Sequence, residues 1–271
     1  MIRVILSGAA GRMGRAVGKL MAACDDMTIV GAVGRPGRGY LGMDYGELIG
    51  VGRIGVAISA DLESVLDRGD TLVEFSTPDA TVAHVQLAVS RGLSAVVGTT
   101  GLSPEQSQTL ATATARIPCV VAPNLSVGAH LLTTIARMLS SALGEGFDVE
   151  VLETHHRFKQ DAPSGTARAI INAITEGRAR PEADQVVHGR HGRVGPRQAG
   201  EIGVHAIRAG DIVGDHTVMF GGLGERLEIT HRAHSVETFA HGTLRAVRFL
   251  QGKPPGLYGM ADIIKTVTSD E

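Results

Sequence analysis

At 271 residues the chain is long enough for a sizeable core and for two domains, and 26 Lys plus Arg against 28 Asp plus Glu leave no polycationic footprint for nucleic acid. Two cysteines, Cys24 and Cys119, both in apolar surroundings, exclude a disulfide scaffold and read as buried structural thiols in a reducing compartment. No basic segment with a long apolar run opens the chain and no window reaches membrane-spanning length, so a soluble cytoplasmic protein with no membrane partner is expected.

Ile2, Val4, Ile5 and Leu6 form a first strand that runs into Ser7-Gly-Ala-Ala-Gly-Arg-Met-Gly14. A helix follows, with Met13, Val17, Leu20, Met21 and Cys24 at helical spacing. The pattern Gly8-x-x-Gly11-x-x-Gly14 therefore sits at a strand-to-helix turn, where a dinucleotide pyrophosphate rests, and departs from the commonest glycine fingerprint only by Ala10. Strand two, Thr28 to Val33, ends at Gly34 and Arg35, where an acid normally accepts the ribose hydroxyls of NAD. Loss of the acid removes a repulsion against a ribose phosphate and Arg35 can pair with one, which favours NADPH over NADH. Residues 36–55 read as a long glycine-rich loop.

Thr71 to Phe75 is a third strand, Ser76-Thr-Pro-Asp79 a cap with Pro78 at the first helical position, and Asp79 to Ser90 a helix. Ala95-Val-Val runs into Gly98-Thr-Thr-Gly101, a loop at the carboxyl end of a parallel strand, where such sheets bind ligands. Ser103-Pro-Glu-Gln106 has the form of a capping box, and Pro118 to Ala122 is a fifth strand ending in Pro123-Asn-Leu-Ser126. This alternation predicts an α/β fold, a Rossmann-type doubly wound parallel sheet, for residues 1–126.

After a helix from about Val127 to Leu143 the pattern changes to strands with wider loops: Asp148 to Thr154, Ile202 to Arg208, His216 to Phe220 and Arg226 to Thr230. Residues 127–235 thus read as a second α+β domain on an open mixed or antiparallel sheet, with an apolar face free for a helix or another subunit. A last helix, Val236 to Leu250, carries Phe239, Thr243, Val247 and Leu250 on one side and returns to the first domain, which takes in 236–271.

The chemistry concentrates in Glu153-Thr-His-His-Arg-Phe-Lys-Gln-Asp-Ala-Pro-Ser-Gly-Thr-Ala167. A strand delivers His155 and His156 to its end, pointing to opposite faces, so the two should do different work. Asp161-Ala-Pro-Ser-Gly-Thr166 then reads as a helix start with a capping side chain, a proline near the first turn and free amides that suit a carboxylate. A His-His pair alone is commonly a surface or packing feature. Joined to Lys159 and Ser164-Gly-Thr166 it points to protonation of an anionic substrate. His188-x-x-His191 and His231-x-x-His234 lack a metalloprotease helix or a cysteine ligand set, so no metal is expected.

Taken with Ala122-Pro-Asn-Leu125, Ile202 to Gly214 and Gly256-Leu-Tyr-Gly-Met260, these motifs resemble the 4-hydroxy-tetrahydrodipicolinate reductases, formerly dihydrodipicolinate reductases, of the diaminopimelate route to lysine. The resemblance spans the chain, and the segment from His155 to Thr166 is its most specific part. It implies NAD(P)H-dependent reduction of a cyclic dicarboxylate with loss of water, giving tetrahydrodipicolinate. It implies His155 as proton donor, Lys159 as second donor and charge anchor, His156 as a substrate contact, and Ser164, Gly165 and Thr166 as the carboxylate site. Gly8, Ala9, Ala10, Gly11, Arg12, Met13, Arg35, Gly98, Thr99, Thr100, Ala122, Pro123, Asn124 and Leu125 match the cofactor contacts. Gly34 is a departure, since relatives often carry an acid there. A homotetramer through the second domain's sheet is also implied. Another amino-acid dehydrogenase, or a nucleotide sensor without turnover, are the competing readings; a sensor should show a damaged catalytic set, and here His155, Lys159 and the Ser-Gly-Thr turn are all present.

Overall fold

The computed structural model describes residues 1–179 and 186–267. The chain starts with β1 (Ile2–Ser7), α1 (Arg12–Met21), β2 (Met27–Val33), α2 (Tyr45–Ile49), β3 (Ile58–Ser59), β4 (Thr71–Glu74), α3 (Pro78–Ser90), β5 (Ser94–Val97), α4 (Pro104–Thr114) and β6 (Pro118–Val121). Then come α5 (Val127–Leu143), β7 (Asp148–His155), α6 (Gly165–Gly177), β8 (Val186–His188), β9 (Ile202–Arg208), β10 (Gly214–Gly221) and β11 (Arg226–Ala233), followed by α7 (Glu237–Phe249), β12 (Gly256–Tyr258) and α8 (Met260–Val267). The chain divides into two compact units, one of residues 1–126 with the segment from Val236 onward, the other of Val127–Ser235. No helix among the described residues is long and apolar enough to cross a membrane.

In the first unit the sheet order is β12-β6-β5-β4-β1-β2-β3, parallel throughout, the arrangement of a Rossmann-type fold. Short apolar strands such as Thr71–Glu74 are buried along their whole length because helices cover both faces. β2 lies on one side of β1 and β4 on the other, so the order reverses at β1, and the ligand crevice of such a sheet opens at that point. Val85, Ala88 and Leu110 of α3 and α4 pack with Ile5, Leu72, Ala95 and Val97 on one face, while α7 lies beside α1.

Three local differences from the sequence expectation have physical causes. The stretch 36–55 is not all loop: Asp44 caps α2, its Oδ1 accepting from the amides of Gly46 (2.9 Å) and Glu47 (3.3 Å), and Tyr45 is buried with its hydroxyl donating to the Gly14 carbonyl at 2.7 Å. A five-residue helix is too short to show a period, which hides it from pattern reading. The inward face of α1 keeps Val17 and Met21 but takes in Gly14 and Gly18 in place of Met13 and Leu20, because Tyr45 packs where a Gly18 side chain would be. Cys24 lies beyond the helix and is only part-buried, its thiol donating to the Leu20 carbonyl at 3.4 Å, whereas Cys119 is buried and its thiol is pushed up to about 12 by burial.

In the second unit the sheet runs β11-β10-β7-β9-β8. It is mixed: β7, β9 and β8 are parallel, and β10 is antiparallel to both β7 and β11. Val149, Val151, Ile202, Val204, Val218 and Phe220 alternate onto one face and are covered by Leu132 and Ala136 of α5 and Ile170, Ile171 and Ile174 of α6. The apolar face is thus buried within the unit. The opposite face carries Glu150, Leu152, His205, Thr217 and Met219, so its character is mixed rather than apolar.

Candidate active site

The site grows from the end of β7. Val149, Val151, Glu153 and His155 share the buried register, so a carboxylate and an imidazole continue the row of valines. Glu153 is fully buried and its Oε2 lies 2.5 Å from Nδ1 of His155. The parallel register places Arg208 of β9 opposite His155, and its guanidinium donates to both Glu153 oxygens at 2.8 Å. Oε1 of Glu153 also accepts from the Ser164 amide at 3.1 Å. Burial pushes the Glu153 carboxyl up, but Arg208 and His155 outweigh it and hold the group below the usual carboxylate range. Burial draws the His155 ring down, against the opposing pull of Glu153.

Ser164 is the N-cap of α6, its Oγ accepting from the Ala167 amide at 3.1 Å, and Gly165 and Thr166 form the first turn. Pro163 stands before the cap rather than inside the helix, which leaves the first-turn amides intact. Ser164 Oγ also meets Nε2 of His216 at 3.1 Å, and the His216 ring stands edge-on to His155 with centroids 5.2 Å apart. His156 follows the strand, its ring tilted toward Phe158, and its Nδ1 is buried without a hydrogen-bond partner among the described residues. Lys159 is ion-paired at 2.8 Å with Asp161, a partner that residue spacing did not single out. The structure therefore joins His155 and Ser164 through one carboxylate, with Gly165 following Ser164 into α6. Glu153, Arg208 and His216 are the members that sequence reasoning missed, although a glutamate two residues before a histidine on an apolar strand face was a usable signal.

His216 carries a consequence for acid stability. Its pKa is drawn down to about 4, by burial first and then by the charges at His155, His231 and Lys159, with Glu153 opposing. The folded chain keeps it neutral down to that pH, while an unfolded histidine protonates near pH 6.5. The unfolded state therefore binds more protons in between, and stability falls as pH drops from about 6.5 to about 4, by up to ~3 kcal/mol. Urea unfolding of the wild type and of His216→Asn at pH 7 and pH 4.5 checks this. The wild type should lose more stability than the variant, and equal losses refute it.

In the first unit, Gly8 follows β1 at φ +71°, and a Cβ there would meet the carbonyl of Phe75, which follows β4. A Cβ on Gly14 would meet the backbone of Gly8 and Ala9. Gly11 caps α1 with no side-chain hydrogen bond, and no acid stands in the first turn. Ala9, Ala10, Arg12 and Met13 complete this turn. It offers bare backbone and a helix N-terminus at the reversal of strand order, which fits a dinucleotide phosphate. Gly98 follows β5 against the Phe75 ring, Thr99 is buried and accepts from the Thr81 hydroxyl at 2.7 Å, and Thr100 is exposed. Ala122 is fixed by its amide on the Val97 carbonyl at 3.0 Å, and Pro123, Asn124 and Leu125 follow, with Leu125 buried and Asn124 Oδ1 accepting from the Ser126 amide at 2.9 Å. At Gly34 a Cβ would come within 2.5 Å of the Tyr40 ring, and the Tyr40 hydroxyl accepts from the Arg35 amide at 3.0 Å; the Arg35 side chain is exposed.

Residues 2–125 match the family described as dihydrodipicolinate reductase, N-terminus, and residues 128–264 that described as dihydrodipicolinate reductase, C-terminus. The chain belongs to the dihydrodipicolinate reductase family. Among curated relatives it is 50% identical to 4-hydroxy-tetrahydrodipicolinate reductase of Rubrobacter xylanophilus, covering 98% of this chain and 99% of the relative, and 45% identical to that of Myxococcus xanthus, covering 97% and 98%. Among solved structures it is similar to dipicolinate-bound dihydrodipicolinate reductase from Paenisporosarcina sp. TG-14, with a TM-score of 0.76, 26% identity, and coverage of 97% and 99%. Its fold also resembles an amine dehydrogenase from Mycobacterium smegmatis at 17% identity and a TM-score of 0.60, covering 96% and 95%. Within the dihydrodipicolinate reductase family the two matched segments account for nearly the whole chain.

Proposed function

We propose that the protein catalyses the NAD(P)H-dependent reduction of 4-hydroxy-tetrahydrodipicolinate to tetrahydrodipicolinate in the diaminopimelate pathway of lysine biosynthesis. Family membership supports the reaction, and the observation that carries the residue roles is that Glu153 accepts from both His155 and the Ser164 amide, placing an imidazole beside the N-terminus of α6. The Gly8 to Met13 turn, Arg35, Gly98 to Thr100 and Ala122 to Leu125 would hold the cofactor, whose nicotinamide supplies the hydride.

His155 is the proton donor to the electron-rich atom that reduction leaves behind. Lys159 binds a substrate carboxylate by exchanging Asp161 for it, and Gly165 and Thr166 with the Ser164 cap receive the other. His156, with a buried and unpartnered Nδ1, is a further polar contact for the substrate. Residues 127–235 are the substrate-binding and oligomerisation domain. Four copies associate through its sheet, which light scattering of the purified protein checks.

NADPH is the preferred donor. Tyr40 fills the space an acidic side chain at position 34 would enter, and Arg35 is exposed for a ribose phosphate. The test is steady-state oxidation of NADPH and NADH side by side, with substrate made from pyruvate and aspartate semialdehyde by the preceding synthase. Turnover is expected with both, with kcat/KM about tenfold higher for NADPH, the size of one good charge-assisted contact. Arg35→Ala should erase the difference. No turnover with either cofactor, from folded protein that binds cofactor, rejects the reductase, and equal use of both rejects the Arg35 role alone.

A further inference from the structure

The carboxylate behind His155 has a specific task in this geometry. Glu153 is fully buried, faces Nδ1 of His155 at 2.5 Å, and is anchored on its other side by two hydrogen bonds from Arg208 and one from the Ser164 amide. A carboxylate held ionised by a guanidinium can only accept, so the ring nitrogen facing it must carry a hydrogen. The second ring nitrogen, Nε2, lies beside Gly214, where a Cβ would come within 3.0 Å of it. In β10, Asp215 to Phe220 all carry side chains and only the two end residues, Gly214 and Gly221, are glycine, so bare backbone falls where Nε2 needs room.

We propose that Glu153, braced by Arg208, is the positioning residue that fixes the hydrogen of His155 on Nδ1 and so makes Nε2, cleared by Gly214, the nitrogen that gives up the proton. The inference rests on the reading of His155 as the proton donor. In the acid step the Nε2–H bond breaks, the electron pair left on the substrate by hydride addition takes that proton, and His155 remains as the neutral Nδ1–H form on Glu153. A solvent proton then restores Nε2–H. His216 faces the pair from β10, its Nε2 on Ser164 Oγ and its ring at an angle to that of His155.

The arrangement parallels a general principle, in which a buried carboxylate sets the tautomer of a catalytic imidazole without taking its proton. The charged and titratable groups around the ring are Glu153 on its own strand, Arg208 on β9, His216 on β10 and Lys159 on the following loop.

The test reads the tautomer directly. In full-length protein labelled with ¹⁵N-histidine, the His155 signals, assigned by their loss in His155→Gln, should show Nδ1 protonated and Nε2 unprotonated above the titration of the ring. Glu153→Gln should lower kcat roughly tenfold or more with a smaller change in KM, and should move the alkaline limb of the kcat profile to lower pH. Glu153→Asp should restore part of both. Because Glu153→Gln takes the carboxylate partner from Arg208 and can unfold the domain, Gly214→Ala is the second variant. It should keep the Nδ1–H signal and still lower kcat, since its methyl crowds Nε2. A wild-type Nε2–H tautomer overturns the proposal, as does a kcat profile that neither variant moves while His155→Gln abolishes turnover. Should His155→Gln itself leave kcat unchanged, the proton-donor reading fails, and the positioning role for catalysis falls with it whatever the tautomer.

Discussion

His155→Gln should lower kcat by about 10²- to 10⁴-fold while leaving the substrate dissociation constant within a few-fold of wild type, the range for losing a positioned general acid. Glutamine keeps a polar group that can donate to Glu153, so the buried carboxylate is not orphaned and the fold is retained. The loss should therefore appear as slower chemistry in a protein with an unchanged unfolding temperature. In the wild type, kcat should fall as pH rises through the His155 pKa, because only the protonated ring donates. Burial draws that pKa down and Glu153 opposes it, so the limb marks the pair rather than a free imidazole. Stopped-flow single turnover and equilibrium binding of a dicarboxylate inhibitor separate the two quantities. An unchanged turnover number in the variant removes His155 as the acid.

The second large effect is expected at Gly14. Its Cβ would meet the carbonyls of Gly8 and Ala9 and the Ala9 Cα, all backbone, so no flexible side chain can give way. Its own carbonyl accepts from the buried Tyr45 hydroxyl, which ties α1 to α2. Gly14→Ala must therefore lift the first turn of α1 away from the β1 loop. The expected cost is about 1–3 kcal/mol from overpacking, with cofactor affinity reduced roughly tenfold or more because the turn no longer presents bare backbone. Thermal unfolding with and without NADPH measures both, since a bound ligand at free concentration L stabilises the folded state by RT ln(1 + L/Kd) and the shift shrinks as Kd rises. Wild-type stability together with a wild-type cofactor shift contradicts the packing argument.

The parts of the site legible in the sequence were those encoded over short distances. Gly8, Gly11 and Gly14 declare a strand-to-helix turn by spacing alone, and Ser164 declares a cap because its oxygen reaches an amide three residues on. Glu153, Arg208 and His216 come from three strands, and what unites them is register: β9 sets Arg208 opposite His155, and β10 sets His216 opposite Glu153. Nothing within one strand states that register. Tyr45 was hidden for a similar reason, since its value lies in a contact with Gly14 and Gly18 some thirty residues away, in a helix of five residues. Lys159 was visible as a charge, but its pairing with Asp161 depends on how the loop folds back. The apolar strand faces were readable as alternation, yet alternation does not say that α5 and α6 of the same unit cover them.

The interruption of the first unit by the second has a bearing on the order in which a nascent chain can assemble. Residues 1–126 alone supply β1 to β6, and β6 then ends the sheet with one edge unpaired until β12 arrives more than a hundred residues later to bond along it. The face beside α1 waits likewise for α7, whose Gly242 lies flush against the Leu125 backbone with no room for a side chain. The segment Val127–Ser235 has no such dependence, because every strand of its sheet lies within it. During synthesis the contiguous unit can reach its native state first, while the dinucleotide unit stays incomplete and exposes an apolar parallel edge, the stage at which a chaperone has most to protect.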